Sequence, residues 1–76
     1  LHDYGLAALG RLRSREIQVF FDSFFDLPED RWASYLRIDT QPRSIARTMT
    51  ALFLTLPRNL QVKVATSNPA ALRRLV

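Results

Sequence analysis

Residues 14–28, SREIQVFFDSFFDLP, decide the fold. Ile17, Phe20, Phe21, Phe24 and Phe25 recur at i, i+3, i+4, i+7 and i+8, the spacing of one face of an α-helix. At about 100° per residue the five span about 140° of that face, with Asp22 and Asp26 on the other. Ser14 is placed to cap this helix, and Leu27-Pro28 ends it. A residue before proline is driven out of the helical region, and proline has no N–H to give the preceding turn.

Working outward, each flank reads as another short helix. Upstream, Asp3 is a candidate cap for a helix carrying Tyr4, Ala7, Ala8 and Leu12, weakened by Gly5 and Gly10. Downstream, Pro28 suits a first helical turn, and Glu29 and Asp30 suit the positive end of its dipole. Trp32, Tyr35 and Leu36 give that helix a short apolar face ending near Arg37. After the turn at Asp39-Thr40-Gln41-Pro42, a fourth helix carries Ile45, Met49, Leu52, Phe53 and Leu56, with Arg43 and Arg47 pointing away, and stops at Pro57. Leu60 to Val64 alternates like a strand, but no second strand exists to pair with it, so the segment is predicted to be a short helix. Asn68-Pro69 then opens a terminal helix through Ala70, Ala71, Leu72 and Leu75. The expectation is an all-α bundle of about four to six short helices over residues 1–76, with no internal repeat.

Seventy-six residues make at most one small domain, able to bury only about 60% of its unfolded surface. An apolar content of 47%, with two glycines and four prolines, is that of a packing chain rather than a disordered one. No stretch reaches the roughly 20 apolar residues of a bilayer span, and the first residues have no secretion-signal pattern. The chain opens on Leu1 rather than Met, as expected of a segment of a longer polypeptide. Charge is divided. Residues 1–39 hold all seven acids and five arginines, net −2, whereas residues 40–76 hold Arg43, Arg47, Arg58, Lys63, Arg73 and Arg74 with no acid, net +6. The basic half either meets an anionic partner or faces the acidic half and the rest of a parent protein.

Much chemistry is excluded. Without cysteine there are no disulfides and no thiolate metal sites. Two glycines cannot build a dinucleotide fingerprint or a Walker loop. His2 is the single histidine, so Ser14, Ser23, Ser34, Ser44 and Ser67 lack a base for a triad. Asp22, Asp26, Glu29 and Asp30 are close in sequence, but they read as a solvated acidic face rather than an acid–base or cation site. No catalytic, cofactor-binding or metal-binding residue is assigned. The aromatic residues are the remaining candidates, because pockets for apolar ligands are lined by such side chains. Phe20 and Phe24 read as core. Phe21 and Phe25 widen the stripe beyond what two short neighbouring helices need, and they are predicted to face out, toward a ligand, a membrane surface or the rest of a parent.

The order Phe20-Phe21-x-x-Phe24-Phe25-x-Leu27-Pro28, Trp32, Tyr35-Leu36, Met49-x-x-Leu52-Phe53, Pro57 resembles the C-terminal region of lycopene cyclases, over about residues 17–65. The resemblance implies a parent flavoprotein of carotenoid biosynthesis, an α/β protein that binds reduced FAD, uses NAD(P)H as reductant and closes rings on linear lycopene by acid–base chemistry. It implies a cytoplasmic enzyme peripheral to the membrane that dissolves its substrate, with the remainder of the flavoprotein, an apolar polyene and an anionic membrane surface as partners. The family's Gly-rich fingerprint and acidic catalytic motif have no counterpart here, so no catalytic position carries over. What carries over is a cap on the substrate side, with Phe21, Phe25, Trp32 and Phe53 as the substrate-side or interdomain candidates. Two other readings stand beside it. One is a small basic helical module binding nucleic acid or protein, which lacks a helix-turn-helix and a stacking surface. The other is a related flavoprotein acting on another isoprenoid, such as a geranylgeranyl reductase. A Gly-rich fingerprint upstream would favour a flavoprotein, and an immediate start codon would count against one.

Overall fold

A computed structural model describes residues 5–75. After a 3-10 helix at Leu6–Arg11 come α1 (Ser14–Phe25), a 3-10 turn (Glu29–Arg31) running into α2 (Trp32–Leu36), α3 (Pro42–Thr55), α4 (Arg58–Ser67) and α5 (Pro69–Leu72). No strand occurs among the described residues. The all-α bundle read from the sequence is the fold.

Most helix boundaries fall where the prolines and turn residues place them, with instructive shifts. The proposed cap Asp3 lies outside the described residues, and the first helix is 3-10 rather than α. Its core-facing residues Leu6 and Leu9, with the C-cap Leu12, repeat every third position, which suits three residues per turn. Helix α1 begins one residue earlier than a Ser14 cap requires. Arg13 is its N-cap, and Glu16 accepts the Arg13 backbone N–H at 3.0 Å, half of a capping box. Neither Gln41, at the start of α3, nor Asn68, at the start of α5, caps through its side chain. Helix α2 ends in a Schellman turn. Arg37 takes the left-handed conformation (φ 57, ψ 46), the Ile38 N–H reaches the Ala33 carbonyl at 3.1 Å, and the Arg37 N–H reaches that of Ser34 at 3.3 Å. The alternating Leu60 to Val64 segment is helical in α4, burying Leu60 and Val64 four residues apart. Gln61 satisfies the open end of α3 across the Pro57 break, donating to the carbonyls of Leu56 at 2.9 Å and Leu54 at 3.2 Å.

Helix α1 is the axis of the core. Phe24 stacks on Trp32 of α2 (centroids 4.6 Å apart), Phe20 meets Tyr35 of α2 at 5.7 Å, and Phe21 meets Phe53 of α3 edge-on at 6.3 Å. The Tyr35 hydroxyl donates to the Phe20 carbonyl at 3.1 Å. On the polar side of α1, Gln18 pairs with Ser67, and Asp22 accepts from Asn68. The Phe25 carbonyl accepts from Arg74 at 3.4 Å. The C-terminal part of the chain is thus stitched along α1, and Asp22 is a half-buried tie rather than part of a solvated acidic face; Asp26 stays exposed.

This arrangement overturns the expected outward direction of Phe21 and Phe25. Phe21 is 0% exposed and Phe25 4%. The stripe is wide because α1 is covered from several sides, by α2, α3 and α4, whereas an outward direction assumes two neighbours. Burying side chains of this size contributes about 1.5–3 kcal/mol each, so covering the whole stripe is what a small domain requires.

Candidate functional site

Of the four aromatic candidates, three are interior. Phe21 and Phe25 lie in the core, and Trp32 is 1% exposed between Phe24 on one face and the Arg74 guanidinium, 5.2 Å from the ring centroid. Phe53 alone is half-buried. Together with Thr50, Leu54, Leu72 and Leu75 it lines an apolar hollow of about 210 Å³ between α3 and the C-terminal turn. The Thr50 hydroxyl closes its floor, within hydrogen-bond distance of the Ala46 carbonyl (2.8 Å) and the Leu75 carbonyl (3.1 Å), with one proton to share between them. Beside the hollow Leu54 stands 65% exposed. A second apolar hollow, about 450 Å³, runs between the 3-10 helix and α3, with Leu9, Leu12, Ile17, Leu52 and Leu56 in its wall.

The sequence reading missed a third hollow, of about 410 Å³, where the start of α3 meets the C-terminal turn. Arg43, Arg47, Arg74, Glu29 and Trp32 line it. The i, i+4 spacing of Arg43 and Arg47 was legible as one helix face, but nothing in the sequence showed that Arg74 would join them.

Among the described residues no group of three or more His, Asp or Glu side chains is placed to hold a metal ion. Gly5 and Gly10 sit at the start of and inside a 3-10 helix, and among the described residues no strand leads into a helix. No described helix is long and apolar enough to cross a membrane.

Fold and surface define an all-helical unit, among the described residues, with an aromatic interior and apolar hollows. Its kinship is more particular. The chain is similar to a protein of Deinococcus radiodurans described as an uncharacterized carotenoid cyclase, with 35% identity over 74 residues. The match takes in 93% of this chain and 18% of that protein, so the chain spans less than a fifth of that relative's length. No family model matches the chain. No solved structure matches it.

Proposed function

We propose that the chain is the C-terminal helical part of a lycopene-cyclase-like enzyme of carotenoid biosynthesis, capping the apolar polyene site of a larger FAD- and NAD(P)H-dependent flavoprotein. The observation that carries this reading is the similarity to a carotenoid cyclase along nearly the whole chain. The surface is compatible with it. A long hydrocarbon is held by apolar contact with few polar anchors, and the hollow beside Phe53 and Leu54 offers such contact. The dinucleotide and the acid–base groups would come from the rest of the parent, which would lie at the cytoplasmic face of the membrane holding its substrate.

The test uses the whole enzyme that carries this segment, supplied with lycopene. Leu54→Ser and Phe53→Ala are expected to lower the yield of cyclised carotenoid by about tenfold while the flavin absorbance stays unchanged, the loss of about 1.4 kcal/mol of apolar binding. Unaltered cyclisation in both variants would remove Phe53 and Leu54 from the substrate face, and failure of the unmodified enzyme to cyclise lycopene would end the reading altogether.

A further inference from the structure

The hollow at the start of α3 carries an excess of positive charge that the fold does not neutralise. The side chains of Arg43 and Arg47 make no hydrogen bond or ion pair with a described residue. Helix α3, 14 residues long, has no acid in its first turn and no side-chain cap, yet it places Arg43 there. A cation at the positive end of a helix dipole is unfavourable, and the first amide N–H groups of the helix are left to seek an acceptor. Arg74 is fixed in place, its guanidinium over the Trp32 ring and donating to the Phe25 carbonyl. Trp32, part of the same wall, has a buried indole N–H with no acceptor. Three arginines, the first turn of α3 and a tryptophan whose buried indole N–H has no acceptor therefore line one hollow, with Glu29 the only acid in its lining.

We propose that this hollow binds a phosphate group. Three arginines against Glu29 leave a charge of +2, which matches the roughly −1.5 to −2 of a phosphate monoester at neutral pH. The planar forks of Arg43 and Arg47 suit paired oxygens of one tetrahedral anion, and the uncapped turn of α3 supplies backbone donors. The site shares only Leu75 with the apolar hollow beside Phe53 and does not depend on the polyene reading.

The chain has one tryptophan, so its indole N–H gives one resonance that reports on the wall of the hollow. Titrating the 76-residue chain with inorganic phosphate at constant ionic strength is expected to shift that resonance saturably. Arg43→Gln with Arg47→Gln, both at exposed positions, should weaken the effect at least about tenfold, whereas Arg11→Gln with Arg15→Gln, away from the hollow, should leave it unchanged. Sedimentation with phosphatidylglycerol and phosphatidylcholine vesicles then separates the sources of the phosphate. Capture by the anionic vesicles that is lost in the Arg43/Arg47 variant assigns the group to a lipid headgroup, and a phosphate shift without capture assigns it to a small soluble ligand. A shift equalled by sodium chloride, or one retained in the Arg43/Arg47 variant, would overturn the proposal. So would the absence of both phosphate and vesicle binding, or saturable binding of single-stranded DNA alone.

Discussion

The two long helices, α1 and α3, have opposite relations to the rest of the molecule. Helix α1 opens on Glu16 bonded to the Arg13 N–H, buries four phenylalanines and ties its polar side to the C-terminal segment. Helix α3 opens on Arg43 without a cap, buries only Ile45 and Met49, and leaves Leu54 to solvent. The first meets most of the requirements of its helix dipole, apolar surface and polar groups within the chain, although Val19 stands 41% exposed and its last turn carries no basic residue. The second leaves some of each unsatisfied, and both hollows assigned a role above border it. Physical requirements met internally mark scaffold, and those left open mark the surface where another molecule is wanted.

Changing α1 should therefore cost far more than changing α3. Replacing Phe21 and Phe25 together by serine is expected to unfold the chain, since truncating one buried phenylalanine typically costs about 3–5 kcal/mol and these two lie in a small core. A melting curve that kept its transition would show that the two rings are not structural. Tyr35→Phe keeps the ring against Phe20 but removes the hydroxyl's hydrogen bond to the Phe20 carbonyl, an expected loss of about 1 kcal/mol measured by urea denaturation. An equal midpoint would place that bond outside the stability of α1.

On α3 the signs and sizes change. Arg43→Glu replaces a cation by an anion in the first turn and should raise stability by about 0.5 kcal/mol at low salt, a gain that fades as salt is added. A fall in melting temperature would mean that Arg43 is held by contacts the comparison leaves out. Leu54→Ser should move stability by less than about 0.5 kcal/mol while reducing self-association in sedimentation velocity, because the side chain is 65% exposed. A large destabilisation would show α3 to be as inward-looking as α1.

The fold was legible in the sequence because its signals are local. Prolines 28, 42, 57 and 69 sit at or next to the starts of the helical segments, and the 3.6-residue stripes of α1 and α3 name their buried faces. Local signals also settled Leu60 to Val64, where the absence of a pairing strand outweighed the alternation. Exposure was less legible, because whether Phe21 faces in or out depends on how many helices surround α1, and that is a property of tertiary arrangement. For the same reason the arginine hollow was only half visible. Two of its cations share a helix face, but the third arrives from 27 residues further along the chain than Arg47.

The stitches between α1 and the C-terminal segment set a timetable for the chain's birth. Asp22 and Asn68 are 46 positions apart, and Gln18–Ser67 and Phe25–Arg74 are each 49 apart. Loop closure over such separations costs little more free energy than over shorter ones, roughly 0.6 kcal/mol per doubling, but it cannot happen before the second partner exists. At about 5–20 residues per second of synthesis, α1 leaves the ribosome several seconds ahead of Asn68 and Arg74. During that interval its four phenylalanines lack part of the cover they have in the finished structure, so the helix that organises the core is also the segment a nascent-chain chaperone would be expected to hold.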